Sequence, residues 1–341
     1  MKELYVIANE KIYSNKDNFF CENKDIQSII NFLVLKYNLF FISRSSNSKK
    51  PFQLNSIYKI FNFSCLKFFS FLSFLFNLKK DRKKILIISI TPFNFIIFYL
   101  FKLLYKCKFY LYLRSDGYEE YENILGKKYV WVYDFMFKYI TKYSEVISCH
   151  ERLYKKKCHI LSPSELTENW SKKIKKNYFS KNTINILYVG RFKIEKGIYS
   201  LLNIFSQLPK NIKLTLVGNG DPIKTQDDRI KVINFIDDES KLINVYDSSN
   251  IFILPSYTEA HPKVIDEALS RLRPVIIFND IKHVVNKRYG VFSVKRNVNE
   301  LLKKINLIRK KNKFINNILL KNRLPKKNDF LDELYRIVSV N

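Results

Sequence analysis

Cysteine is scarce in this sequence, and its few copies follow no regular spacing. The 341 residues contain five cysteines, an odd number. A disulfide framework is therefore not expected, and a reducing cytoplasm is the simplest location. The opening residues "MKELYVIANE" do not have the form of a secretory signal and predict a β-strand that runs into a loop.

Acidic residues are also few relative to basic ones. The chain has 31 Asp and Glu against 60 Lys and Arg, a formal net charge of +29. Such an excess suggests a polyanionic partner, either nucleic acid, anionic lipid or a phosphorylated substrate. A general bias of composition toward Lys, Asn, Ile and Phe explains the charge equally well. Zinc-knuckle spacing and an aromatic RNP stretch are both absent, so no nucleic-acid partner is expected.

The length favours two domains, and the apolar content is high enough for a core in each. In residues 1–176, strand-like runs such as "LYVIAN", "KILIISI" and "FYLYLRSDG" alternate with helical segments such as "FNFIIFYLFKLLY" and "VWVYDFMFKYITKYS". A second series occupies residues 183–325, and a last helix at about 328–341 is expected to pack back on the first domain. This β-α-β rhythm predicts an α/β fold of two Rossmann-like domains, each a parallel sheet covered by helices on both faces.

One aromatic segment leaves two interpretations open. Residues 58–78 are almost wholly apolar and predict a helix, but they contain Lys59 and Lys67, so a membrane span is not expected. The basic "KKDRKK" at 79–84 follows directly. An apolar helix beside a basic cluster is typical of an interfacial membrane anchor. A core helix followed by a solvated turn fits equally well.

The stretch "LYVGRFKIEKG" has the form of an anion-binding loop. A strand ends at Gly190, Arg191 follows at once, and Lys196 opens a helix with Gly197. Backbone amides, a guanidinium fork and an ammonium charge together suit a diphosphate, although a surface loop is the plain alternative. In "LVGNGD", Gly218 ends the following strand, where ligands approach open α/β sheets.

The stretch "YTEAHPKVIDEALS" follows a buried strand that Ser256 closes. Pro262 suits the first position of the next helix. The backbone amides of Lys263 and Val264 would then point into the crevice at the positive end of the helix dipole and favour a phosphate.

Two carboxylates, Glu259 and Glu267, flank the start of that helix. Carboxylates accept hydrogen bonds from vicinal hydroxyls, so one is suited to a sugar and the other to a ribose. An ordinary helix N-terminus with a surface glutamate is the alternative.

Over residues 184–292 the chain resembles the family-4 retaining glycosyltransferases, whose GT-B fold consists of two facing Rossmann-like domains. The resemblance rests on "YVGRFKIEKG", "LVGNGD", "TEAHPKVIDEALS", "RPVI" and "YGVF", in this order and spacing. It implies that Arg191 and Lys196 clamp the donor diphosphate, Glu259 contacts the donor sugar and Glu267 contacts the ribose. Backbone amides from His261 to Val264 would line the sugar and phosphate site.

The resemblance also implies a reaction without a bound metal, and a UDP-sugar donor is favoured over a GDP-sugar. The residues themselves also argue against a zinc site. The pairs Cys149-His150 and Cys158-His159 contain zinc-ligand types, but the neighbours in each pair point to opposite sides of a strand.

The sequence departs from the family pattern at several positions. Ala260-His261-Pro262 replaces the usual Gly-Phe-Gly, so His261 either faces the ligand or is a loop imidazole. Leu272 stands where a glycine usually precedes "RPVI". The usual N-terminal glycine pair is missing, and "LRSDG" replaces a frequent histidine, which makes Asp116 a candidate for the acceptor or sugar side or for a structural turn.

The function that follows is a retaining glycosyltransferase that uses a sugar nucleotide and acts at the cytoplasmic face of the membrane. Its acceptor would be a glycan or a lipid-linked molecule of bacterial surface polysaccharide synthesis, by analogy with the family. The expected partners are the donor, this acceptor and an anionic membrane surface. A degenerate GT-B protein that binds glycan or nucleotide without catalysis is the alternative.

Overall fold

The computed structural model describes residues 2–16, 18–55, 59–63, 68–79, 81–177, 179–180, 182–285 and 288–340. The chain divides into two compact units. The first comprises Met1–Pro163 with Asn328–Asn341, and the second comprises Ser164–Lys327. Each unit contains a sheet flanked by helices, so the predicted α/β fold class is confirmed.

The sheet of the first unit has nine strands among the described residues. Seven of them run parallel in the order β5-β3-β1-β6-β7-β8-β9, and β2 and β4 add an antiparallel extension at one end of β1. The strands are β1 (Glu3–Asn15), β2 (Asn18–Cys21), β3 (Asn38–Ser46), β4 (Phe52–Leu54), β5 (Lys59–Phe63), β6 (Lys83–Ile88), β7 (Cys107–Leu113), β8 (Ser144–Ser148) and β9 (His159–Ile160).

The helices of the first unit are α1 (Lys24–Leu33), α2 (Phe68–Phe76), α3 (Pro92–Leu104), α4 (Gly117–Leu125), α5 (Val130–Tyr143) and the C-terminal helix, here α11 (Lys327–Ser339). Helix α3 begins where local chemistry favours a start. Thr91 caps it by accepting a hydrogen bond from the amide of Asn94, and Pro92 occupies the first turn. The chain end beyond α11 is held by Tyr110, whose hydroxyl donates to the carbonyl of Val340 at 2.9 Å.

The prediction of one helix over residues 58–78 is wrong for its first part. Lys59–Phe63 forms strand β5, which pairs in parallel with β3, and α2 begins only at Phe68. Residues 58 and 64–67 lie outside the described part of the chain. Apolarity alone does not separate a buried strand from a buried helix, and aromatic residues favour a strand when a neighbouring strand can pair with them.

The basic cluster after α2 is not a uniformly solvated surface. Lys83 is only 3% exposed, and its ammonium lies 2.5 Å from Asp81 and 3.2 Å from Glu3. The ammonium of Lys84 donates to the backbone carbonyls at the end of α11, including that of Ser339 at 2.9 Å. These two charges therefore act inside the first unit. Lys80 lies outside the described residues.

No helix in the described ranges combines the length and the apolar character that crossing a membrane requires.

The second unit contains a fully parallel sheet of six strands in the order β12-β11-β10-β13-β14-β15. Its strands are β10 (Ile184–Val189), β11 (Ile212–Gly218), β12 (Ile230–Asn234), β13 (Ile251–Leu254), β14 (Val275–Phe278) and β15 (Val291–Val294), and its helices are α6 (Ile198–Phe205), α7 (Glu239–Asp247), α8 (Lys263–Ser270), α9 (Val298–Lys310) and α10 (Asn312–Leu319). The strand order reverses between β10 and β13, which is where open α/β sheets bind ligands.

The structure places residues 164–176 with the second unit, whereas the first domain was predicted to extend to residue 176. Trp170 is buried against the ring of Tyr246, with 5.5 Å between ring centroids. The fully buried guanidinium of Arg271 donates to the carbonyls of Trp170, Lys172 and Lys173. Arg271 thus satisfies the hydrogen-bonding needs of these backbone carbonyls and holds the segment against the second unit.

Arg271 shares one carboxylate, that of Asp247, with a second buried arginine. Nη2 of Arg271 lies 2.6 Å from Asp247, and Nη2 of Arg273 lies 3.7 Å from it. Arg273 also donates to the carbonyls of Tyr246 and Asp247. Burial lowers the pKa of Arg273 to about 10, although the Asp247 carboxylate opposes this shift. Arg273 therefore stays charged at neutral pH. Asp247 is the carboxylate that pairs with both guanidiniums.

We expect Asp247→Asn to lower the free energy of unfolding of the second unit by about 3–5 kcal/mol, because it leaves two buried cations without their counter-charge. The measurement is urea unfolding followed by the fluorescence of Trp170 in a Trp131→Phe background, which reports the second unit alone. Asp228→Asn makes the same chemical change at an exposed position and should cost less than about 0.5 kcal/mol. Equal losses in the two variants would contradict a structural role for this carboxylate.

Candidate functional site

The candidate site is built by the loops that follow the neighbouring strands β10 and β13. Both loops leave the carboxyl edge of the sheet at the point where the strand order reverses. The amide of Tyr257 in the second loop donates to the carbonyl of Glu195 in the first at 3.0 Å. The two loops therefore form one bonded surface on the second unit.

Two glycines permit the close backbone approaches that this surface requires. Gly197 has φ +67°, and a Cβ there would collide with the carbonyl oxygen of Pro255. A Cβ on Gly218 would collide with the carbonyl oxygen of Gly190. Glycine avoids both collisions because it has no Cβ. The glycines therefore position the loops, whatever their backbone amides bind.

Glu259 is the centre of a small polar cluster. Its Oε1 lies 2.6 Å from Nζ of Lys196 and accepts a hydrogen bond of 2.7 Å from the hydroxyl of Ser256. Nε2 of His283 lies 2.6 Å from the backbone carbonyl oxygen of Glu259. Ser256 is fully buried, and the side chains of Lys196 and Glu259 are mostly buried. The cluster joins residues of both loops and presents an ammonium and a carboxylate side by side.

Arg296 fixes the backbone of the second loop, the one that follows β13. Its guanidinium donates to the carbonyls of Pro255 at 2.9 Å and Ser256 at 3.3 Å, and it pairs with Asp280 at 2.8 Å. It also lies between two aromatic rings, 4.1 Å from the centroid of Tyr257 and 4.3 Å from that of Phe278. A planar cation can satisfy carbonyls and stack on rings at once, so this arginine fixes the loop from several sides.

His261 belongs to a second, buried group. Its Nε2 lies 3.4 Å from Asp266 and 3.3 Å from the guanidinium of Arg288, which itself pairs with Asp266 at 2.7 Å. Burial by itself raises the pKa of the Asp266 carboxyl, but hydrogen bonds from His261 and Arg288 outweigh burial and hold this pKa below its ordinary value. His261 is therefore oriented by a carboxylate and is not a freely exposed loop imidazole.

Helix α8 begins one residue later than predicted. Pro262 occupies the N-cap position and Lys263 is the first helical residue, because Pro262 has the extended backbone of a cap (φ −76°, ψ 104°). The Pro262 side chain makes no capping hydrogen bond. The first amides of α8, which include that of Val264, therefore contribute the positive end of the helix dipole next to the Glu259 loop.

The structure gives the other predicted site residues partners of their own. The Arg191 side chain is 63% exposed and lies 3.9 Å from Glu195. Glu267 accepts a hydrogen bond of 2.8 Å from the hydroxyl of the buried Tyr246. Burial, followed by the charge of Glu267, raises the pKa of Tyr246 well above its ordinary value, so this hydroxyl remains a donor.

Asp116 lies in the first unit and has a structural role there. Its carboxylate caps helix α4 by accepting hydrogen bonds from the amides of Tyr118 and Glu119, and it pairs with Arg152 at 3.3 Å. His150 acts similarly, since its Nδ1 accepts a hydrogen bond from the amide of Arg152. Local turn chemistry is sufficient to explain both residues.

The sequence motifs did not identify four residues that support the site, namely Tyr188, His283, Arg288 and Arg296. One signal could have found two of them, because His283 and Arg288 follow strand β14 at the carboxyl edge where ligands approach. Tyr188 lies inside a strand, and its hydroxyl donates to the carbonyl of Arg191 at 2.7 Å. Arg296 acts through a backbone that is distant in sequence, so no local pattern marks it.

Leu272 shows why the family pattern has a glycine at its position. The amide of Leu272 bonds to the carbonyl of Leu269 and the amide of Arg273 to that of Ala268, the two bonds of a Schellman helix end. This motif requires left-handed backbone at Leu272, whose φ is +56°. Leucine meets the requirement with strain of about 1–2 kcal/mol, and its buried side chain offsets part of that cost.

Within the described parts of the chain, no group of three or more His, Cys, Asp or Glu side chains is arranged to hold a metal ion.

A comparison with protein families matches residues 170–321 to the model described as "Glycosyl transferases group 1". This range contains the Glu259 cluster and the His261 group. The chain is also 30% identical over 168 residues to an uncharacterized glycosyltransferase of Haemophilus influenzae, a match that covers 46% of each protein. It is 27% identical over 161 residues to the capsular polysaccharide biosynthesis glycosyltransferase CapM of Staphylococcus aureus, over 42% of this chain and 40% of CapM. The matches thus span less than half of these relatives.

Solved structures resemble the chain over its whole length. A sucrose-phosphate synthase from Thermosynechococcus elongatus has a TM-score of 0.68 and 16% identity, covering 99% of this chain and 98% of its own. Anabaena Alr3699/HepE in complex with UDP and glucose has a TM-score of 0.68 and 13% identity, covering 100% of both chains. These likenesses confirm the predicted GT-B fold class.

We expect Asp266→Asn to lower the free energy of unfolding by about 3–5 kcal/mol at neutral pH, because it removes the buried counter-charge of Arg288. The folded-state pKa of Asp266 is depressed, so its contribution is present above the unfolded-state value of about 3.9 and is lost as the pH falls through the folded-state value. The difference between wild type and variant in urea unfolding should therefore shrink below about pH 4. A difference that stays constant down to about pH 3 would contradict the assignment.

Proposed function

We propose that this chain is a retaining glycosyltransferase that moves a sugar from a nucleotide-diphosphate sugar to a glycan or lipid-linked acceptor. The donor is a UDP-sugar in preference to a GDP-sugar, and the reaction uses no bound metal. The acceptor belongs to bacterial surface polysaccharide or oligosaccharide synthesis, and the enzyme works at the cytoplasmic face of the plasma membrane.

The observation that carries this proposal is the Glu259 cluster at the switch point of the second sheet. Lys196 supplies an ammonium and the N-terminus of α8 supplies a dipole, which together suit the negative charge of a diphosphate. Glu259 supplies a carboxylate for sugar hydroxyls. When a donor binds here, its phosphate pairs with Lys196 in place of Glu259. The hydroxyls of the donor then donate hydrogen bonds to the Glu259 carboxylate.

The named relatives agree with this donor and this pathway. The structures of HepE contain UDP with glucose in one complex and UDP-glucose in another, which supports a uridine sugar donor for the present chain. CapM is named for capsular polysaccharide synthesis. TuaC of Bacillus subtilis, 32% identical over 90 residues, or 26% of this chain and 23% of TuaC, is named for teichuronic acid synthesis. Both names support an acceptor from a surface polysaccharide.

In the proposed reaction the bond between the anomeric carbon and the donor phosphate breaks while the acceptor oxygen attacks from the same face. The departing phosphate oxygen takes the proton of the acceptor hydroxyl, so no separate base is needed. Lys196 stabilises the charge that develops on the diphosphate, and Arg191 moves its exposed guanidinium onto the same group. His261, held by Asp266, positions the loop beside the sugar, and Glu267 contacts the ribose.

Binding without catalysis is the second candidate function, and one observation favours it. The loop that replaces the family's Gly-Phe-Gly contains His261, whose side chain is turned toward Asp266 and Arg288 inside the protein. A site reshaped in this way can retain a nucleotide without promoting transfer. The two experiments below separate these candidates, because one measures binding and the other measures turnover.

A thermal-shift screen should identify the donor. A ligand that binds only the folded protein raises the melting temperature, by an amount equivalent to about 2.7 kcal/mol at a hundredfold excess over its Kd. We expect UDP-sugars to raise the melting temperature of the wild type more than GDP- and dTDP-sugars. Lys196→Ala should remove the shift. A UDP-sugar shift that persists in Lys196→Ala would place the nucleotide elsewhere.

Turnover of the best donor tests catalysis. Lys196→Ala and Arg191→Ala should each lower turnover by about 10²-fold or more, because each removes a cation that stabilises the departing phosphate. Glu259→Ala should also lower turnover. Lys210→Ala removes an exposed lysine from a turn outside the site and serves as the matched control. Donor binding without turnover in the wild type would favour the non-catalytic candidate, and normal turnover in both cation variants would refute the assigned roles.

A further inference from the structure

Helix α3 in the first unit is apolar on both its inner and its outer side, with Asn94 and Lys102 as its two polar residues. Its inner side packs Ile97, Phe98 and Phe101 into the core. Its outer side carries Ile96, Tyr99 and Leu103, which are 53%, 47% and 69% exposed. A surface helix ordinarily places charged and polar residues on its outer side. An exposed apolar stripe at helical spacing therefore marks a surface that contacts something other than water.

Helix α5 continues this stripe. Trp131 and Phe135 lie one turn apart on its outer side and are 70% and 56% exposed. Phe95 of α3 packs against Phe135 with 5.7 Å between ring centroids. Tyr139 of α5 lies 6.2 Å from the ring of Tyr99 of α3. The two outer sides thus form a single surface within the first unit.

This surface is basic as well as apolar. Nζ of Lys102 lies 4.0 Å from the ring centroid of Tyr143, and Lys138 and Lys142 are exposed on α5. Asp134 is the single acidic residue of α3 and α5, and it pairs with Lys138 at 2.7 Å. We call this surface the α3–α5 face. It comprises Ile96, Tyr99, Leu103, Trp131 and Phe135 with the three lysines Lys102, Lys138 and Lys142.

We propose that the α3–α5 face is the surface by which the protein docks on an anionic lipid bilayer. Tryptophan and tyrosine favour the boundary between acyl chains and headgroups, since one end of each ring is apolar and the other polar. The lysine stems extend along the apolar surface while their ammonium groups reach anionic headgroups. The face provides both the apolar and the electrostatic contribution that interfacial binding requires.

The charge of the face argues against a second copy of this chain as its partner. A symmetric dimer would bring the same patch of both copies together. The lysines of one copy would then face those of the other, with one already paired aspartate on each side as compensation. An anionic bilayer complements this charge, and the chain's net charge of +29 acts in the same direction.

This inference places the membrane contact outside residues 58–84, for which the sequence left an interfacial anchor and a core helix with a solvated turn equally open. Part of that segment is strand β5, and the ammonium groups of Lys83 and Lys84 are used inside the first unit. The docking proposal does not depend on the proposed enzymatic activity, because vesicles without donor or acceptor test it.

The test is co-sedimentation with vesicles of equal parts phosphatidylglycerol and phosphatidylcholine, compared with vesicles of phosphatidylcholine alone. We expect the wild type to bind the anionic vesicles more tightly and to lose binding as salt rises. Leu103→Ser with Phe135→Ser should weaken binding by about 10-fold or more, because it removes two apolar side chains from the membrane boundary. Lys138→Gln with Lys142→Gln should reduce the preference for anionic vesicles.

Matched controls are available on the second unit. Phe314→Ser with Leu320→Ser removes a phenylalanine and a leucine that are exposed to a similar extent, 63% and 66%, and Lys303→Gln with Lys310→Gln removes two exposed lysines. Both controls should bind as the wild type does. Equal weakening in the Leu103/Phe135 and Phe314/Leu320 pairs, or none in either, overturns the proposal. A second result also overturns the proposal. In that result, light scattering shows that the wild type is a dimer and that Leu103→Ser with Phe135→Ser is a monomer, and neither form binds vesicles.

Discussion

The short contact between the Lys196 ammonium and the Glu259 carboxylate is the interaction at the centre of the candidate site. It joins two loops that leave adjacent strands, and it requires Gly197 to lie directly against the backbone of Pro255. Each charge makes the burial of the other tolerable, because a single charge in this position would lack a partner. The same pair offers a cation and an anion to one ligand, so the contact that stabilises the site also defines what it is suited to bind.

Arginines form the framework behind that contact. Arg271 and Arg273 secure the entering segment through Asp247, Arg288 fixes Asp266, and Arg296 holds the loop carbonyls before Glu259. Each guanidinium combines a carboxylate with backbone carbonyls, a geometry that an ammonium does not reproduce. Part of the chain's large positive charge is therefore structural. Another part lies on the α3–α5 face, where no comparable set of carboxylates balances it.

Leu272 illustrates how structure explains a departure from a family pattern. The Schellman end of α8 is preserved although its usual glycine is not, because the hydrogen bonds depend on backbone conformation and not on residue identity. His261 is the opposite case. Its side chain contacts the buried pair of Asp266 and Arg288. The departure at Leu272 conserves the backbone geometry, whereas the departure at His261 changes the side-chain contacts of the loop.

The sequence alone determined the α/β class, the alternation of strands and helices in the second unit and the two loops that carry Lys196 and Glu259. Those features depend on apolar periodicity, glycines and helix starts, which are local signals. Only tertiary structure decided that Lys59–Phe63 is a strand, that Lys196 meets Glu259 across 63 residues, that His261 turns inward and that α3 exposes an apolar side. Each of these outcomes depends on which surfaces the folded chain brings together, and no window of neighbouring residues contains that information.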